Sequence, residues 1–165
     1  MLHEGFITED ERTDLVTWID TLHRDGEMNR NRTNHTDRQV IYLKNRTDIK
    51  PPQAFYDIES RLKKELDLDT VDVNLGHFIA SHGEDSYVQS HTDYVPNAQH
   101  HRILVMLQKP EEGGNPVHNG KIVDINNRDA LNFRCDIIEH TSIPVRGNTR
   151  RLTVSYGFNV STQLN

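Results

Sequence analysis

Little in this 165-residue chain is oily. Hydrophobic residues make up 34% of it and aromatics 7%, with a single tryptophan. Soluble domains usually reach about 45–50% apolar once glycine is counted, and the nine glycines do not close the gap. Long hydrophobic runs are missing as well. The longest aliphatic run, Ile103 to Leu107, falls far short of the ~20 residues a membrane-spanning helix needs, so no membrane partner is expected. The opening residues include His3, Glu4, Glu9, Asp10 and Glu11 and carry no apolar signal-peptide stretch. A cytoplasmic location is the expectation. Cysteine is nearly absent. Cys135 alone makes neither a disulfide within the chain nor a cysteine-based zinc site, and it reads as a small buried residue. Positive charge is not in excess: the net charge of −6 argues against a general nucleic-acid binder.

What is there is histidine, ten of them. The length fits one domain over 1–165, able to bury roughly 70% of its unfolded surface. No repeat or low-complexity tract interrupts it. Charge is uneven: residues 24–50 sum to +3 and the remainder to −9. The basic segment reads either as a solvated loop or as a flap facing a substrate, and both readings stay open.

The N-terminal part, 1–70, reads as helical. Thr8 and Glu11 make a Thr-x-x-Glu capping box, with Glu9, Asp10 and Glu11 at the positive end of the helix dipole. Leu15, Trp18, Ile19 and Leu22 follow with helical spacing, and Asp25-Gly26 ends the run. A flexible loop is expected within 26–50, around a short strand from Gln39 to Leu43. Pro51-Pro52 opens a second helix, with Phe55, Ile58, Leu62 and Leu66 on one face. From 71 to 165 the chain reads as a β core, with short runs at 71–80, 86–90, 102–108, 121–125, 129–135 and 150–160. Two helices and about eight strands imply an α+β, mainly β fold, helices packed against one side of a sheet sandwich or barrel.

One constellation carries chemistry. His91-Thr92-Asp93 ends the strand-like run Tyr87 to Ser90, and in extended chain residues i and i+2 share a face. One imidazole and one carboxylate can then meet at one point. His140, after another strand, offers a third ligand. Two histidines and one carboxylate on one face of a metal leave positions open, the arrangement of non-haem Fe(II) oxygenases. His-x-Asp alone is a weak signal in a chain so rich in histidine. Downstream stand Pro144-Val145, Gly147, and Arg150-Arg151-Leu152-Thr153-Val154-Ser155. A fixed cation on the strand after the distal histidine suits a dicarboxylate co-substrate, because guanidinium binds carboxylate as a fork. His77, His82, His100, His101 and His118 have no ligand spacing of this kind and read as surface or supporting residues.

Taken together, His91-Thr92-Asp93, Glu112-Gly113-Gly114, Asp129 to Phe133, His140, Pro144-Val145, Gly147 and the arginine pair resemble the 2-oxoglutarate/Fe(II)-dependent dioxygenase superfamily, in its prolyl-hydroxylase-like branch. Gly5 to Asp10, opening the first helix, is similar in style to that branch's entry segment. The resemblance implies a double-stranded β-helix, a jelly-roll or cupin-like barrel with N-terminal helices on its major sheet. It implies Fe(II) held by the catalytic residues His91, Asp93 and His140, with 2-oxoglutarate and O2 as co-substrates and ascorbate allowed. The expected reaction hydroxylates a C–H bond while 2-oxoglutarate is decarboxylated to succinate and CO2. Aspartate at 93 favours hydroxylation over halogenation, since halogenating relatives carry Gly or Ala there. For the far carboxylate of 2-oxoglutarate, spacing from His140 favours Arg150. Strand register favours Arg151, which shares a face with Thr153 and Ser155. Two departures stand out: Val88 lies where relatives often have tyrosine, and Leu107-Gln108-Lys109 lacks another.

The resemblance implies a peptide or protein substrate, prolyl-hydroxylase-like. A free amino acid or other small molecule is the alternative. AlkB-type demethylation is disfavoured, because Thr153 and Gly157 stand where that branch has asparagine and arginine. A non-catalytic metal-binding barrel is the non-enzymatic reading.

Overall fold

The computed structural model describes residues 1–28, 32–33, 37–68, 71–72 and 76–161. Helix α1 (Glu9–Arg24) starts where the Thr8 side chain accepts from the Glu11 amide and the Glu11 carboxylate accepts from the Thr8 amide. Helix α2 (Gln53–Glu65) follows Pro52 in extended conformation, a position where a missing N–H is not felt. Leu15, Ile19 and Leu22 of α1, and Phe55, Ile58 and Leu62 of α2, are buried.

The strands among the described residues pair antiparallel. The strands are β1 (Leu2–His3), β2 (Arg32–Thr33), β3 (Arg38–Tyr42), β4 (Val71–Asp72), β5 (Phe78–His82), β6 (Ala98–Gln108), β7 (Pro116–His118), β8 (Lys121–Ile122), β9 (Ala130–Arg134), β10 (His140–Ser142) and β11 (Arg151–Ser161). The large sheet runs β1-β9-β6-β11-β5-β3-β2, with β4 pairing β11, and a small sheet runs β10-β7-β8. Strands from before residue 70 thus complete the sheet of the later segment.

Strand β11 explains how the molecule is layered. Along a strand, alternate residues point to opposite faces. Leu152, Val154, Tyr156 and Phe158 join Ile79, Ile103, Val105 and the apolar faces of both helices in the main core. The Tyr156 hydroxyl donates to the Phe55 carbonyl at 3.1 Å, tying strand to helix. Arg151, Thr153 and Ser155 point the other way, into a cavity that Pro116, His118, Thr141 and Ser142 of the small sheet also line.

Some expected elements differ. Residues 86–90 form no strand. The Ser86 amide and hydroxyl both turn back to the Gly83 carbonyl, and Val88 bonds to the side chains of Ser142 and Thr141, so side chains take the place of a ladder. Strands β7 and β10 escape notice because three residues are too few to show alternation. Within 26–50, β3 pairs β5, and Arg46 is engaged by Glu27 and Asp48 at 2.6 and 2.8 Å. Residues 29–31 and 34–36 of the expected flap, and 73–75 of the expected strand 71–80, lie outside the described residues.

Candidate functional site

His91 and His140 meet through an isolated antiparallel bridge. Ligand atoms of His91, Asp93 and His140 all lie within 4.8 Å of one another. His91 Nε2 is 3.2 Å from Asp93 Oδ1, and His140 Nε2 is 3.9 Å from Asp93 Oδ2. Both rings are oriented alike. His91 Nδ1 sits 2.7 Å from the Gln89 carbonyl, and His140 Nδ1 sits 3.0 Å from the Ile138 carbonyl. A carbonyl only accepts, so each Nδ1 carries the proton. In a neutral ring, Nε2 then presents its lone pair toward Asp93, as a metal-ligating histidine must.

Asp93 is held from two sides. Its amide donates to the Cys135 carbonyl at 2.7 Å, and Arg102 donates to Oδ2 at 3.3 Å. Burial would raise the Asp93 carboxyl, but Arg102, His140 and His91 outweigh it and hold it below its ordinary value. Burial also lowers His140. Both shifts favour a carboxylate at Asp93 and a neutral ring at His140, and a donor set of two imidazoles and one carboxylate fits a divalent transition metal.

The other end of the cavity is cationic. Arg151 is 2% exposed, and its Nε has no hydrogen-bond partner; Ser155 Oγ, on the same strand face, has none either. Burial and the nearby Arg38 bring Arg151 down to about 10, still charged at neutral pH. Buried polar atoms without partners are costly, and here they line the cavity that holds the His-Asp-His trio. Gly114 packs on the Arg151 stem: with φ +69°, a Cβ there would lie 3.1 Å from Arg151 Cδ and 2.7 Å from Pro110 Cγ. Arg150 turns away. Its Nε donates to Ser81 Oγ at 2.6 Å and its Nη1 to Asp37 Oδ2 at 2.5 Å. The structure thus brings His91, Asp93, His140, Arg151, Thr153 and Ser155 to one cavity and leaves Arg150 outside it.

No family model matches the sequence, and no curated protein matches it. Solved structures do match. A prolyl hydroxylase from Trichoplax adhaerens, in complex with a hypoxia-inducible-factor peptide fragment, aligns with a TM-score of 0.73 at 14% identity over 98% of this chain and 83% of its own. A viral collagen prolyl hydroxylase from Paramecium Bursaria Chlorella virus-1, as its 2-oxoglutarate complex, aligns with a TM-score of 0.70 at 13% identity over 97% and 96%. HygX from Streptomyces hygroscopicus, with nickel, 2-oxoglutarate and hygromycin B bound, aligns with a TM-score of 0.65 at 13% identity over 99% and 83%.

The fold is that of the prolyl hydroxylases. Among the described residues no helix is long and apolar enough to cross a membrane.

Several residues placed in this prolyl-hydroxylase fold were not singled out by spacing. Arg38, His82, Arg102 and His118 all line the cavity. His118 lies opposite His140 across the small sheet, and burial, with His140 and the N-terminus adding to it, pushes it down to about 4. Alternation of Phe78, Ala80 and His82 along β5 was the signal available for His82. His77 and His100 are structural: His77 packs between Tyr156 and Phe158, and His100 bonds Asn159 and Arg102. Cys135 is buried, and burial raises its thiol to about 12.

Proposed function

We propose that this chain is an Fe(II)- and 2-oxoglutarate-dependent dioxygenase that hydroxylates a C–H bond, built as one double-stranded β-helix domain over 1–165. The observation that carries the reading is a single cavity with two complementary ends. At one end His91, Asp93 and His140 present a lone pair, a carboxylate and a lone pair. At the other, a buried Arg151 has an unpartnered Nε beside the unpartnered Ser155 hydroxyl.

When bound, Fe(II) and 2-oxoglutarate supply oxygen activation, with oxidative decarboxylation to succinate and CO2 driving the hydroxylation. The chain's own groups do the positioning. The Gln89 and Ile138 carbonyls fix the tautomers of His91 and His140. Arg102 occupies one side of the Asp93 carboxylate, which favours ligation through the other oxygen. Arg151 meets the far carboxylate as a fork, and Ser155, with Thr153 on the same face, supplies a hydroxyl donor. Arg150 braces β11 against β5 and Asp37.

For the substrate we favour a residue in a peptide or protein, as in the Trichoplax adhaerens complex. A small molecule is the second reading, favoured by the match to HygX with hygromycin B bound over 99% of this chain. The test is succinate release from Fe(II), 2-oxoglutarate and O2 against a panel of proline-containing peptides and of small molecules. Peptide-stimulated succinate supports the first reading, and stimulation by small molecules alone moves the assignment to the second. No succinate with any substrate, or alone, contradicts the enzyme.

A further inference from the structure

Tyr42, the last residue of β3, lines the cavity and is still 44% exposed. A large ring left in contact with water forgoes the stabilisation that burial would give. Phe78 of β5 stands directly opposite it, and the two ring centroids lie 5.3 Å apart with their planes 57° apart. Opposite residues of an antiparallel pair project from the same face, and Phe78 lines the same cavity. On its other side Phe78 stands opposite Ser155, and the Arg102 guanidinium lies 4.8 Å from its ring centroid. Arg102 is the residue that donates to Asp93. The aromatic pair is therefore a wall that starts beside the residues of the metal-binding and co-substrate ends and finishes at solvent.

That wall offers apolar surface and no charge partner. Among the described residues lining the cavity, Asp93 is the only acid, and Arg102, His140 and His91 already stabilise its carboxylate. A cationic side chain entering past Tyr42 finds no counter-charge, and burying an unpaired charge is expensive. Arg102 is no ready partner for an anion either. Its Nη1 donates to the Gly76 carbonyl at 3.1 Å and its Nη2 to Asp93 at 3.3 Å. Aromatic faces carry the negative side of the ring quadrupole, so they disfavour a carboxylate and suit C–H groups.

We infer that Tyr42, backed by Phe78, is a specificity-determining residue on the substrate side: it takes an uncharged, apolar side chain or ring of a peptide and discriminates against charged ones. The inference rests on the proposed function and deepens it, because it names the kind of peptide residue the site takes. It also gives β3, from the N-terminal part of the chain, a role in substrate choice.

The test is calorimetric titration of peptides into the full chain loaded with Zn(II) and 2-oxoglutarate, which needs no turnover. The probes are blocked pentapeptides Gly-Ala-X-Ala-Gly, with X proline, leucine, lysine or glutamate. The better of the two apolar peptides should bind at least about 10-fold more tightly than either charged one. Tyr42→Ala should weaken that peptide by about 10-fold, the scale of losing one ring's apolar contact, and leave 2-oxoglutarate affinity within about twofold. Tyr42→Phe, which keeps the ring, should bind as wild type does. Tyr42→Thr, suited to a strand, replaces the alanine variant should that one not fold, with the same loss expected. Tightest binding of a charged peptide, binding of none of the peptides, unchanged apolar-peptide affinity without the ring, or equal loss of peptide and 2-oxoglutarate overturns the role of Tyr42. A wild-type chain that binds Zn(II) but not 2-oxoglutarate contradicts the functional reading itself, and the inference falls with it.

Discussion

His91 and His140 exchange backbone hydrogen bonds in both directions, His140 N to His91 O at 2.9 Å and His91 N to His140 O at 3.2 Å. Their ring centroids lie 4.3 Å apart. This one bridge joins the segment before β6 to β10 and turns both rings toward Asp93. Because each Nδ1 is used by a carbonyl two residues back, the backbone itself sets which nitrogen is offered.

That pairing makes the trio a unit. His91→Ala, Asp93→Ala and His140→Ala should each lower affinity for a divalent transition metal by at least about 100-fold, since losing even an outer-shell partner typically costs about 10–100-fold. Direct metal titration checks it, with unchanged circular dichroism as the control. Undiminished binding in any of the three removes that residue from the ligand set.

The two arginines should separate cleanly. Arg151→Ala should raise the 2-oxoglutarate requirement strongly, because Arg151 faces the cavity. Arg150→Ala should leave that requirement nearly unchanged and instead lower stability by about 1–3 kcal/mol, the scale for losing hydrogen bonds to a charged group. Steady-state titration of 2-oxoglutarate and urea unfolding of both variants decide the matter. The reverse ranking would exchange their roles.

The Gly113-Gly114 turn should not tolerate a side chain. Both residues have positive φ, and a Cβ on Gly113 would collide with the Pro144 carbonyl, which cannot swing aside as a side-chain tip can. Gly113→Ala should cost about 1–3 kcal/mol of stability. A urea midpoint equal to wild type would show that the turn relaxes more easily than its contacts suggest.

Stability should fall on acidification. His82, His100 and His118 are each lowered, chiefly by burial. The unfolded chain takes up their protons as pH drops below about 6.5, while the folded chain does not. Unfolding then binds protons, so stability is full above that pH and declines below it. The decline continues until the folded pKa is passed, which for His118 is about 4. Each such histidine adds up to about 1.4 kcal/mol per pH unit. Urea midpoints of the metal-free protein at pH 7.5 and 5.5 test this, and a flat profile would contradict buried neutral histidines.

Much of the fold is legible in the residues. The Thr8–Glu11 box and the apolar periodicity mark α1, and Pro51-Pro52 marks the start of α2. Alternation along β11 separates Arg151, Thr153 and Ser155 from Leu152 and Val154, and in the structure the two sets lie on opposite sides of the sheet. His91 and Asp93 were expected to converge because they end a strand. They converge instead from a stretch anchored by one bridge and by the side chains of Thr141 and Ser142, contacts made across some fifty residues that no local pattern carries. Arg38, His82 and Arg102 were silent for a related reason. Their place beside the trio and Arg151 comes from the register between strands, and register is set by tertiary pairing rather than by the composition of any one strand.

The most direct test of the account adds Fe(II) and then 2-oxoglutarate to the protein without oxygen and records the visible spectrum. An iron centre on His91, Asp93 and His140 with room for a chelating oxo acid should give a metal-to-ligand charge-transfer band that saturates with 2-oxoglutarate, disappears in Asp93→Ala and shifts to higher 2-oxoglutarate concentration in Arg151→Ala. No band in the wild-type protein, under conditions where Fe(II) is shown to bind, would contradict it.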